Sequence, residues 1–131
     1  MKIARVFALL VFLLSACGPA APKTSFTVSM TDFAFTPNVF TVPAGAEITM
    51  KGYHDGAVVH DFIIMKFGAD IGDTFTEEDR PNVYWEFKLN PGGEETTSFI
   101  APSEPGEYQI LCGTAGHLQA GMVGKLIVVA P

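Results

Sequence analysis

The chain has 131 residues, of which 48% are hydrophobic and 17% charged, and its formal net charge is −6 at pH 7. That length suits one domain around a single modest core and is too short for two. Eight basic against fourteen acidic residues argue against nucleic acid as a partner.

Lys2 and Arg5 precede an apolar run over residues 6–14, which ends in Ser15-Ala16-Cys17, the layout of a secretory signal. The run is too short to span a bilayer as a helix. Leu14-Ser15-Ala16-Cys17 is similar to the lipobox of bacterial lipoproteins, in which the Cys is lipid-modified and begins the mature chain. An ordinary signal cut nearby, with Cys17 an incidental thiol, is the alternative. The lipobox reading implies that residues 1–16 are removed and that acylated Cys17 anchors a soluble domain to a membrane, facing the periplasm or the cell exterior. Loss of Lys2 and Arg5 leaves 6 basic and 14 acidic residues, a formal charge of −8. Such acidity steers a basic partner or merely solvates the surface.

Residues 17–25 contain two prolines and small residues without an apolar period, and read as a Pro/Ala tether. One domain follows over residues 26–131. Strand signals fall at residues 26–30, 39–42, 47–50, 58–67, 83–87, 96–101, 107–112 and 124–129, several with polar and apolar residues alternating. Turn-formers such as Pro43-Ala-Gly45 and Asn90-Pro-Gly-Gly93 separate them, so an all-β Greek-key sandwich or barrel of about eight strands is expected. Residues 70–79 form a polar connection with room for a short helical turn.

The chemistry concentrates near the C-terminus, where Cys112, His117 and Met122 follow one another at five-residue steps. Thiolate, imidazole and thioether together suit copper, and two His with one Cys in a plane and a weak axial Met make a blue-copper site. The second His is expected from His60, on an apolar stretch that reads as a buried strand. His54, in Tyr53-His54-Asp55-Gly56, reads as a surface turn residue and is the lesser alternative. Met122 alone would be core filler; in this motif it reads as the axial ligand. Acylation of Cys17 would leave Cys112 without a disulfide partner, consistent with a metal-held thiolate, whereas a Cys17–Cys112 disulfide is the competing possibility. Tyr108 and Ile110 share the Cys112 face of their strand, which puts the thiol on the core side. Tyr108 itself reads as a core residue whose hydroxyl bonds to backbone.

Phe35-Thr-Pro37, Val39-Phe-Thr-Val-Pro-Ala-Gly45, His60-Asp-Phe62 and Tyr108-x3-Cys112-x3-Gly116-His117-x3-Gly121-Met122-x-Gly124 together resemble the cupredoxins, the small blue-copper proteins. Four residues between successive ligands look most like the rusticyanin and auracyanin pattern. The resemblance implies binding of one copper by Nδ1 of His60 and His117, the Cys112 thiolate and axial Met122. It also implies an electron exit through His117, ringed by an apolar patch expected from Phe35, Pro37, Leu118, Ala120 and Gly121. Where the family commonly has Asn after the first His, tying the two ligand segments together, Asp61 stands here. Some members offer a backbone carbonyl from a Gly before that His; Val59 occupies the position, so no fifth ligand is expected.

A one-electron carrier follows, with partners such as a c-type cytochrome or a membrane electron-transfer complex, working as a monomer. An oxidase or nitrite reductase needs further His-bound copper, which three histidines cannot supply. A copper carrier or chaperone, or a copper subunit of a larger membrane redox complex, is the alternative.

Overall fold

A computed structural model describes residues 21–131, and among these nine strands form two sheets packed face to face. The strands are β1 (Ser25–Thr31), β2 (Ala34–Thr36), β3 (Val39–Pro43), β4 (Glu47–His54), β5 (His60–Met65), β6 (Val83–Leu89), β7 (Glu94–Ile100), β8 (Gly106–Leu111) and β9 (Val123–Val129). One sheet has the order β2-β1-β4-β7, the other β3-β9-β8-β5-β6. The pairs β1/β4 and β3/β9 are parallel and the remaining pairs antiparallel. The expected all-β sandwich is therefore present. The signal segment and Cys17 lie outside the described residues, while Lys23 and Thr24 already bond to Thr41 and Thr49, so the tether merges into the sheet just before its expected end.

Period-two alternation builds the core. Val28 and Met30 of β1, Ile48 and Met50 of β4, and Phe62, Ile64, Ile110 and Leu126 of the second sheet meet between the layers, all fully buried. Strand β4 runs to His54, beyond the expected residue 50, because Gly52 and His54 continue the inward positions. Neither looks apolar in sequence, yet Gly52 is where the Phe87 ring packs: a Cβ there would lie 2.8 Å from it. The three-residue β2 is too short to show a pattern.

Every residue of β5 is buried, since both of its faces are covered. Ile63 and Met65 point away from the main core into a second cluster with Leu111 and Leu118, roofed by Ala69, Ile71 and Phe75 of the connection to β6 and by Val83 at the start of β6. That connection holds a 3-10 helix at Glu77–Asn82, slightly later than the helical turn expected at 70–79. Its start is set by the Asp79 carboxylate, which accepts from the Thr76 backbone N–H at 2.7 Å.

Candidate metal centre

Antiparallel pairing of β5 with β8, in the register Ile63 with Leu111, brings the start of β5 beside the end of β8. His60 opens β5 and Cys112 directly follows β8, so the sheet itself juxtaposes them. Tyr108, Ile110 and Cys112 all join the main core cluster, as their shared strand face requires. The Tyr108 hydroxyl donates to the Glu104 carbonyl at 2.6 Å, which leaves it a core residue.

The loop from Cys112 to Met122 is held by its own backbone. The Cys112 N–H donates to the Met122 carbonyl at 3.1 Å, the Met122 N–H to the His117 carbonyl at 2.9 Å, and the His117 N–H to the Thr114 carbonyl at 3.0 Å. Gly116 (φ 81°) and Gly121 (φ 93°) take left-handed conformations that a side chain would strain, and so close the loop on either side of His117. This folding turns His117 back over Cys112. It also returns Met122 to the main core cluster, fully buried, in company with Cys112.

His60, Cys112 and His117 converge as a buried group whose ligand atoms lie within 4.8 Å of one another. The two Nδ1 atoms are 3.1 Å apart, and Cys112 Sγ is 3.8 Å from His60 Nδ1 and 3.5 Å from His117 Nδ1. A circle through these three atoms has a radius of about 2.0 Å, close to the usual metal–nitrogen distance for imidazole. The donor set therefore fits a small thiophilic cation in its plane, and one thiolate with two imidazoles suits copper.

The surroundings refine the expectations. Asp61 donates its backbone N–H to Cys112 Sγ at 3.4 Å, while its carboxylate pairs with Lys88 Nζ at 3.1 Å. The tie between ligand segments is made instead by Thr114, whose hydroxyl donates to the Val59 carbonyl at 2.8 Å. That same bond engages the carbonyl that some relatives aim at the metal. His54 is not a surface residue: it is 3% exposed, its Nε2 donates to the Val58 carbonyl at 2.6 Å, and its Nδ1 accepts the Gly56 N–H at 3.1 Å. With both nitrogens engaged by backbone, it stacks on His60 and stays out of the donor group.

The expected apolar patch also changes membership. Phe35 and Leu118 are buried, in the main core and the outer cluster respectively, whereas Pro37, Ala120 and Gly121 are exposed. Phe33, which the sequence did not single out, is 50% exposed and meets the His117 ring edge-on with centroids 5.2 Å apart. A second residue missed in sequence is Asp32, whose Oδ1 lies 3.2 Å from His60 Nε2. An Asp in a short turn carries no local mark of such a role. Burial holds the His60 imidazole below its ordinary pKa, His54 and His117 add to the depression, and Asp32 opposes it. The Asp32 carboxyl is itself held low, first by the Ala57 N–H and then by His60.

The match to the family of cupredoxin-like domains extends over residues 4–128. Chloroplastic plastocyanin B of Populus nigra is 36% identical over 95 residues, which are 72% of this chain and 51% of that protein, so the chain spans about half the length of that relative. Among solved structures, dithionite-reduced auracyanin of Roseiflexus castenholzii superposes with a TM-score of 0.70 at 30% identity, covering 83% of this chain and 99% of the other. Auracyanin A of Chloroflexus aurantiacus, a "blue" copper protein, does so with a TM-score of 0.64 at 27% identity, over 80% and 99%. A family match over nearly the whole sequence, with relatives at 30% identity or above, shows that the chain belongs to the cupredoxins.

Proposed function

We propose that this protein is an exported, membrane-tethered type 1 copper protein that carries single electrons between redox partners. In this reading Nδ1 of His60 and of His117, the Cys112 thiolate and the Met122 thioether would hold the copper. The observation that carries it is the buried triangle of one sulfur and two Nδ1 atoms, sized for an ion at its centre. Bound copper supplies a one-electron couple between Cu(I) and Cu(II).

The chain's part is to keep the donors still and dry. Sheet pairing fixes His60 against Cys112, the loop's internal bonds fix His117 and Met122, and the Asp61 N–H supports the thiolate charge. Both nitrogens of His54 are engaged by backbone, so no imidazole remains for a second, open metal. This supports a carrier over an oxidase or reductase. Electrons would pass through His117, where the exposed Phe33 ring meets the imidazole and the exposed Ala120 and Gly121 follow on the same loop, offering an apolar rim for docking.

The lipobox-like Leu14-Ser-Ala-Cys17 supports removal of residues 1–16, a lipid on Cys17, a tether to about residue 25 and a domain over 26–131 outside the cytoplasm. A c-type cytochrome or a membrane electron-transfer complex would be the partner, met by a monomer. Reconstitution with copper tests the centre: the oxidised protein should absorb intensely in the visible and cycle reversibly by one electron, and Cys112→Ser should be colourless. Copper bound without that absorption, or unable to cycle, would leave a copper-binding carrier instead.

A further inference from the structure

His60 is enclosed by groups that take no part in the donor triangle. Its Nε2 donates to Asp32 Oδ1 at 3.2 Å, and one face of its ring stacks on His54 at 4.5 Å and 18°. The Asp32 carboxylate is anchored in turn by the Ala57 N–H, which reaches its two oxygens at 3.0 and 3.2 Å. Gly56 makes the approach possible: a Cβ there would fall 2.5 Å from Asp32 Oδ1 and 2.6 Å from His60 Nε2. His54 completes the support, since its two nitrogens bond Gly56 and Val58 and so hold the turn that carries Ala57. The β1–β2 turn, the end of β4 and the 55–59 turn thus converge on the back of one imidazole.

We propose that Asp32 is a positioning residue for the metal centre, whose carboxylate fixes the Nε2–H tautomer of His60, frees Nδ1 as the donor, and strengthens that imidazole towards the oxidised ion. The inference rests on the copper reading above. A neutral imidazole carries one N–H, so a proton committed to the carboxylate at Nε2 leaves the lone pair at Nδ1. A carboxylate behind a ligating His also raises the basicity of the ring. Its negative charge favours the more positive oxidation state, and hence lowers the potential. The second imidazole is treated differently, because His117 meets an apolar ring rather than a carboxylate. One imidazole is thus backed by a carboxylate and the other by an exposed aromatic ring.

Asp32→Asn separates charge from architecture, since the amide oxygen still accepts from Ala57 and from His60 Nε2. Copper(II) binding should weaken about tenfold relative to copper(I), which raises the potential by about 59 mV for a one-electron couple while the visible band persists. Asp32→Ala removes the acceptor altogether. In the metal-free protein, nitrogen-15 NMR should show His60 protonated at Nε2 in the wild type and a mixture of tautomers in the Ala variant, with thermal unfolding confirming that both variants fold. An unchanged potential in Asp32→Asn, or a pure Nε2–H tautomer retained in Asp32→Ala, overturns the proposal. A wild-type protein that shows no copper colour would instead refute the copper reading, and the metal-free spectrum would still decide whether Asp32 sets the tautomer.

Discussion

Two short segments govern the centre by different means. The loop from Cys112 to Met122 supplies three of the four proposed ligands and carries its own scaffold, in cross-loop backbone bonds and two left-handed glycines. The β1–β2 turn supplies none. Yet Asp32 bonds the back of His60 and Phe33 covers the edge of His117, so a turn some 80 residues earlier touches both imidazoles. The loop carries most of the proposed donors, whereas the turn contacts both imidazoles.

If the loop is a scaffold in its own right, its anchor should matter most for stability. Leu118 is that anchor, buried against Ile63, Met65 and Leu111 beneath the connection to β6. Leu118→Ala should cost about 2–4 kcal/mol in denaturant unfolding of the metal-free protein. A midpoint that did not move would mean that the loop stands without its outer cluster. A smaller loss is expected at Gly121, where φ is 93° and no neighbour crowds a methyl group. Gly121→Ala should destabilise by about 1 kcal/mol through backbone strain alone. Measuring copper affinity on the same variant would show whether that strain reaches His117, and equal stability with the wild type would refute the argument from conformation.

The same contrast explains what could be read from the sequence. Ligand types at equal steps are a local signal, and His60 followed because only two other histidines remained and, of these, it alone lies in a largely apolar, strand-like stretch. Sheet-forming alternation was equally local, which is why the sandwich was expected. Contacts across the fold left no such mark. Asp32 looks like any turn aspartate, because its partner is 28 residues away and depends on the missing side chain of Gly56. His54 looked like a surface turn residue because Asp55 and Gly56 follow it, although its own position continues the inward face of β4. Leu118 looked like a docking residue because it adjoins His117, and within the mostly polar connection of residues 70–79 only Ile71 and Phe75 hint at the roof that buries it.

The smallest effect, and the sharpest for the turn, concerns Phe33. Its φ of 69° puts a bulky residue in the left-handed region, a strain of about 1 kcal/mol or more, while its edge contact with His117 returns a similar amount. Asn tolerates that conformation, so Phe33→Asn should relieve the strain as it removes the contact, leaving stability within about 0.5 kcal/mol and the copper spectrum intact. What it takes away is an exposed ring at the rim of the proposed electron exit. Losing about 1 kcal/mol of apolar docking contact would weaken the encounter complex about fivefold. Stopped-flow oxidation by a c-type cytochrome below saturation should therefore slow by that factor. If the rate is unaltered while the spectrum and stability are preserved, Phe33 plays no part in docking, and the turn acts on the centre through Asp32 alone.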